Sequence, residues 1–420
     1  MIAKTAISAV VVASALLSVA AALVGAHSPR TIPNDPFFRY QFSFDNPGGT
    51  LRIPTFSFRP SIEEYSTTPG LDHNILRAWS ITTGSKDVVV ALLDDGFFYQ
   101  HEDLKENIWH NPGESGIDGT GHRKETNGVD DDHDGYVDDV VGWDFAFNDP
   151  DPDAYIFDGM DASRIQPYGH ATPALGIIGA KGNNGIGVAG INWSNWSISM
   201  MLLKIGAQGV KRGEFDAFRV DRAVKAIHYA VDHGAKVINW SGFVDDKRPE
   251  RLASLKAAIE YAGAHGVLVV IAAGNSMKNL DEDENCTYPQ CFDEPNILNV
   301  GEIGVDGELD TRSGRDRISG SNYGVHRVQI VAIARNFSTD VRSGMSVYRL
   351  AGGTSNAAPV VTGIAGLVLA VRPELKAVEL KQILMDSSRK LPSLKEKITS
   401  GGLVDAYGAV TLAMRTGGRH

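Results

Sequence analysis

Six short apolar runs recur along the chain: DVVVALL at 87–93, SMMLLKI at 199–205, KVINW at 236–240, GVLVVIAA at 266–273, ILNVGEI at 297–303 and VQIVAI at 328–333. Each has the length of one strand and is nearly continuous in Val, Ile and Leu, which predicts strands buried on both faces. Between them the hydrophobic period lengthens. VDRAVKAIHYAVDHGAK puts apolar residues at 220, 224, 227, 230 and 231, with Gly234 as a helix stop. RPERLASLKAAIEYAGAHG repeats the pattern with Pro249 near its start, and ELKQILMDSSRK and LVDAYGAVTLAMR add helices near the C-terminus. At 352–371 the turn GGTS leads directly into an apolar helix of small residues. Strands alternating with helices predict an α/β fold of three layers, a mainly parallel sheet with helices on both faces. In such sheets a site forms at the carboxyl ends of the strands.

The flanks read differently. Lys4 followed by AISAVVVASALLSVAAALVGA, with Val24 and Ala26 as small residues before a cleavage point, predicts a signal peptide over 1–26 and hence a secreted or periplasmic protein. The run is also long enough to serve as an uncleaved anchor, but its Ala/Ser richness favours removal. Residues 27–70 are rich in Pro, Gly and aromatics, as expected of an extended N-terminal arm or short pro-segment laid over a main domain at 71–415. The last residues, 416–420, read as a loose tail. No stretch after the first 26 residues is expected to cross a membrane.

Composition changes this picture little. At 43% hydrophobic and 22% charged residues the chain is an ordinary globular protein. A net charge of −11 argues against nucleic acid or an anionic membrane as partner. Cys286 and Cys291 are the two cysteines, and in an exported chain they predict a local disulfide.

Three stretches carry candidate chemistry. The strand at 87–93 runs into Asp94-Asp95-Gly96, which sets a carboxylate at the sheet's carboxyl edge. His170 precedes the small-residue segment ATPALGIIGA. Ser355 stands where the helix after Gly353 begins, so the unpaired N–H groups of the first turn favour negative charge beside it. Taken singly, each has an ordinary structural reading: a strand-end acid, a core histidine, a helix cap. A fourth stretch, AAGN, ends in Asn275, whose amide can donate to an oxyanion or simply shape a turn.

Together these stretches resemble the subtilisin-like serine proteases, the subtilases (peptidase family S8), over roughly residues 75–412. The family order Asp…His…Ser is kept. Asp94-Asp95-Gly96 matches the Asp motif, His170-Ala171-Thr172-Pro173-Ala174-Leu175-Gly176 the His motif, and Gly353-Thr354-Ser355-Asn356-Ala357-Ala358-Pro359 the Ser motif. The resemblance implies a subtilisin-like three-layer peptidase domain that hydrolyses peptide bonds. Ser355 would be the nucleophile, His170 the base, Asp94 its orienting acid and Asn275 an oxyanion donor. Asp95 is the alternative acid. Ala171, Pro173 and Asn356 depart from the family pattern, but none removes a reacting group. A catalytically silent binding protein on the same fold is the competing reading. A lipase-like esterase predicts G-x-S-x-G, which GTSNA lacks.

The resemblance also suggests where a peptide lies. Ser241-Gly242-Phe243 would line one wall, with the family's Ser-hydrophobe-Gly order altered, and Ala272-Ala273-Gly274 the other. The acid cluster 281–284 nearby raises the expectation of a basic side chain in the primary pocket. Finally, NGVDDDHDGYVDD spaces Asp130, Asp132 and Asp134 as in a Ca²⁺ loop, with Asp138 as a further ligand. Val141 stands where an EF-hand needs Glu, so the loop is not an EF-hand; the resemblance implies a structural Ca²⁺ site here, a solvated acidic loop is the alternative, and a softer metal at His133 is disfavoured by the excess of hard oxygens. No cofactor is expected in catalysis, and the partners expected are polypeptide substrates of a monomer without stable membrane association.

Overall fold

The computed structural model describes residues 32–55, 61–154, 169–194, 197–208, 215–216, 218–309, 313–314, 317–318, 320–342 and 344–417. The candidate signal segment, residues 155–168 and the last three residues of the expected tail lie outside these.

A nine-stranded sheet forms the centre: β1 Val89–Asp94, β2 Gly142–Asp144, β3 Ser199–Lys204, β4 Val237–Trp240, β5 Leu268–Ala272, β6 Ile297–Ile303, β7 Ile330–Ile333, β8 Arg389–Lys390 and β9 Gly402–Leu403. The spatial order is β8-β9-β7-β6-β5-β4-β1-β3-β2. All neighbours are parallel except the edge pair β8 and β9. The six apolar runs all become strands. Their side chains are buried on both faces because helices cover both. The three strands of this sheet that the pattern did not predict are two or three residues long, too short to show a period.

The helices of eight or more residues are α1 Thr172–Gly179, α2 Val220–Asp232, α3 Pro249–Ala264, α4 Thr354–Val371, α5 Ala377–Asp386 and α6 Ala406–Thr416. One apolar cluster joins α1, α4, α5 and α6 to one face of the sheet, and a second joins α2 and α3 to the other. The fold is thus the expected three-layer α/β architecture. By length and composition α4 could cross a membrane, contrary to the expectation that no later stretch could. It is instead the central core helix, buried without a break from Asn356 to Leu369 and partly exposed only at Ser355, Ala370 and Val371.

The arm is built into this body. Phe38, Phe42, Phe44 and Ile53 are buried in the larger cluster, and Gly49–Thr55 pairs antiparallel with Ser61–Thr67 as a hairpin. A second hairpin, Asn336–Arg342 with Met345–Ala351, leads into the turn before α4. Its Ser338 and Thr339 hydroxyls donate to the carbonyls of Pro173 and Thr172 at the start of α1, both at 2.8 Å.

Candidate active site

Asp94 is the last residue of β1, Ser241 follows β4 at once, and Asn275 lies three residues beyond β5. Parallel neighbours end on one edge, so these positions converge there by topology. α1 and α4 then point their N-termini at the same edge. The result is a cleft of ≈ 430 Å³ whose lining includes Asp95, His170, Ser241, Gly242, Asn275 and Ser355.

His170 Nδ1 lies 2.8 Å from Asp94 Oδ1. Asp94, not Asp95, is therefore the carboxylate that holds the imidazole. Asp94 Oδ1 also accepts the Asp95 N–H at 2.8 Å, which fixes its plane. Burial disfavours charge on His170, but the adjacent Asp94 carboxylate outweighs it and Asp95 adds to the effect, so the imidazole pKa is pushed up to about 9. Asp95 is also buried, and burial together with the negative Asp94 pushes its carboxyl up to about 8. The Ser355 hydroxyl donates to the Ser241 carbonyl at 3.3 Å, while the Ser241 hydroxyl donates to the Ser355 carbonyl at 2.8 Å. In the free protein the hydroxyl thus rests against β4's extension, and a turn about its Cα–Cβ bond is needed to point it elsewhere.

Asn275 is oriented by a neighbour of Ser355. Its Oδ1 accepts from both the N–H and the hydroxyl of Thr354 at 2.9 Å, and the Thr354 hydroxyl in turn accepts the Gly274 N–H at 3.1 Å. Since the oxygen is taken, the Nδ2 amide is the end left to face the cleft. Gly353 has φ +91, open to glycine, and a Cβ there would stand 3.5 Å from Asn275 Nδ2. Two departures in the Ser and His motifs find a place, although Asn356 Oδ1 stays buried without a hydrogen-bond partner. Asn356 Nδ2 donates to Gly352 O at 2.7 Å, and Pro173 lies in the first turn of α1, where its missing N–H has no partner to lose.

Of the wall residues, Ser241, Gly242, Phe243, Ala272 and Gly274 line the cleft. Ala273 does not: it is fully buried and its carbonyl accepts from Asn322 Nδ2. The altered order at 241–243 has a steric reason. A Cβ on Gly242 would meet the Phe218 ring at 2.0 Å, so the apolar group that fills this wall comes from position 218. The acid cluster turns away from the cleft. Asp281 accepts from the N–H groups of His326 and Arg327, and Asp283 pairs with Arg327 at 3.4 Å. The carboxylates that do line the cleft are Asp95 and Asp245.

Cys286 and Cys291 form the disulfide. In the acidic loop, Asp130 and Asp132 gather with Glu114, while Asp132 and Asp134 gather with His233. Asp138 stays out of both groups. Its two oxygens accept the Gly128 N–H at 3.1 and 3.2 Å, so it shapes the loop. Glu114 is the residue missed by sequence reasoning, lying sixteen positions before Asp130 in a turn with no acidic pattern. Its Oε1 accepts from Asp131 N–H at 2.6 Å while its Oε2 is buried without a hydrogen-bond partner. Burial holds the Glu114 carboxyl above the usual range, with the charges of Asp132 and Asp131 adding to the rise; burial does the same for Asp134. A set of hard oxygens with one aimed nowhere else fits a Ca²⁺ ion. Both ring nitrogens of His233 face acceptors, Tyr229 O at 3.0 Å and Asp134 at 3.1 Å, so His233 serves Asp134 as a donor.

Sheet, helices and cleft define an α/β protein that gathers a carboxylate–imidazole pair, a hydroxyl and an amide at one strand edge. Comparison with known proteins places it further. The family model described as the subtilase family, Peptidase_S8, matches residues 85–409, and the chain belongs to that family. It is 30% identical over 348 residues to "Subtilisin-like protease 1" of Plasmodium berghei, covering 80% of this chain and 51% of that protein. To the "Halolysin-like extracellular serine protease Nep" of Natrialba magadii it is 30% identical over 335 residues, covering 80% and 49%. A solved structure of proteases from Pseudoalteromonas arctica superposes with a TM-score of 0.60 at 24% identity, over 91% of this chain and 100% of that one. The chain spans about half the length of the curated relatives it matches.

Proposed function

We propose that the chain is an exported serine endopeptidase. Ser355 Oγ attacks the scissile carbonyl, His170 Nε2 takes its proton and returns it to the leaving amine, and Asp94 holds the imidazole tautomer and offsets the positive charge that forms. Asn275 Nδ2 and the Ser355 N–H donate to the oxyanion, helped by the positive end of α4. The observation that carries this reading is the 2.8 Å contact of His170 Nδ1 with Asp94, made in the cleft that Ser355 and Asn275 also line. Family membership supports it. Export rests on the apolar segment at 1–26, and the extracellular label of the Natrialba relative is consistent with it.

The same reading includes a structural Ca²⁺ held by Glu114, Asp130, Asp132 and Asp134, its charge offsetting their mutual repulsion. It takes no part in bond cleavage.

A fluorophosphonate probe tests the catalytic claim. Wild type should be labelled and Ser355→Ala should not. Casein cleavage should follow the label. Equal labelling of both proteins, or of neither, would leave a silent scaffold as the better account.

A further inference from the structure

We propose that Gln290 is a positioning residue that sets the separation of the two cleft walls, and through it the choice of side chain accepted before the scissile bond. The inference rests on the peptide-cleft reading above and deepens it.

The ladder between β4 and β5 ends at Trp240 and Ile271. Beyond that rung the two segments become opposite walls of the cleft, with no backbone pairing between them in the described strands. Gln290 supplies the missing rung. Its Nε2 donates to Gly242 O at 3.0 Å and to Ala272 O at 2.9 Å, one carbonyl from each wall. A primary amide carries two protons on one nitrogen, so it can hold both carbonyls at once. The flipped amide would set Oε1 against two carbonyl oxygens, which fixes the assignment. The side chain is 1% exposed and lines the cleft.

Its own loop is held firmly. Asn299 Nδ2 donates to Gln290 O at 2.7 Å, and Cys291, next in the chain, is joined to Cys286. The Val244 N–H donates to Tyr288 O at 2.8 Å, tying the loop to the wall just past Phe243. A brace anchored at both ends transmits its position to what it holds, so the space between the walls follows from the reach of this side chain.

The full chain carrying Ser355→Ala is the parent for the test, since a bound peptide then persists. Two peptides that differ only in Phe or Ala before the scissile bond are titrated by fluorescence polarisation. The parent should bind them with unequal affinity. Gln290→Met, close in volume but without a donor, and Gln290→Glu, whose carboxylate repels both carbonyls, should each change that ratio roughly tenfold. General loss of folded protein lowers both affinities together and leaves the ratio alone. An unchanged ratio in both variants overturns the proposal, as does a parent that binds the peptides equally or not at all. Loss of cooperative unfolding in both variants would also overturn it, making the amide a folding requirement. Labelling of the wild-type chain by fluorophosphonate is read separately. Its failure removes Ser355 as nucleophile while the affinity ratio still decides the role of Gln290.

Discussion

At the scale of single residues, two carboxylates beside one imidazole set the pH behaviour. In the proposed reaction His170 must be neutral to accept a proton, and its pKa is pushed up to about 9 by Asp94 with help from Asp95. The rate constant kcat/KM should therefore rise with pH and level off only above about 9. Asp95→Asn removes one negative charge and should move that limb to lower pH. A limb that stays in place in the variant would show that Asp95 does not act on His170. The sign for stability is opposite. The folded pKa of His170 exceeds its ordinary 6.5, so its contribution is complete below 6.5 and is lost as pH rises through about 9. Thermal midpoints measured across that window should fall. At Asn275, replacement by Ala should lower kcat by roughly 10²–10³ with KM little changed, the loss that removing an oxyanion-hole donor brings in subtilisin. A loss confined to KM would assign the amide to ground-state binding. These roles reside in residue types the sequence displays openly. The distinction between Asp94 and Asp95 does not: both carboxylates lie beside the imidazole, and only the fold says that Asp94 is the one in contact with His170 Nδ1.

At the scale of elements, the wall at 241–243 and the acidic loop each borrow a group from elsewhere. Gly242→Ala would drive a methyl into the Phe218 ring. It should destabilise by about 1–3 kcal/mol in urea titrations, and Phe218→Ala should recover part of that loss. Full additivity of the two changes would mean that they do not touch. In the acidic loop, EDTA should lower the thermal midpoint and added Ca²⁺ should restore it. Glu114→Gln should weaken the restoration, because it removes charge from the one oxygen without another partner. A midpoint indifferent to EDTA would refute the metal site. The Asp spacing at 130–134 was legible because the acidic residues alternate along one loop. Glu114 and Phe218 were not, since their neighbours in sequence carry no matching period and their partners lie sixteen or more positions away.

At the scale of the whole molecule, the N-terminal arm is tied to the loop that follows α1. Gln41 both donates to Ala189 O at 2.7 Å and accepts the Ala189 N–H at 2.9 Å, in a buried setting. Asp35 accepts the Asn183 N–H at 2.7 Å on the same loop. Gln41→Ala leaves a backbone donor and acceptor buried without partners and should cost about 2–4 kcal/mol in denaturant unfolding. A change below about 0.5 kcal/mol would show that the arm is dispensable to the folded domain.

What the chain determines alone is the sequence of layers. Runs of Val, Ile and Leu of strand length can be satisfied only by burial on both faces, and the intervening 3.6-residue periods supply the helices that bury them. The glycines and small residues around Asp94, His170, Asn275 and Ser355 announce themselves too, because close backbone approach restricts which residues fit. What the tertiary structure decides is convergence across the edge of the sheet: Asp94 over Asp95 against the imidazole, Phe218 against Gly242, Glu114 into the acidic loop, Gln290 across two carbonyls. Such contacts join residues far apart in the chain, and their energy depends on distances that local pattern does not encode.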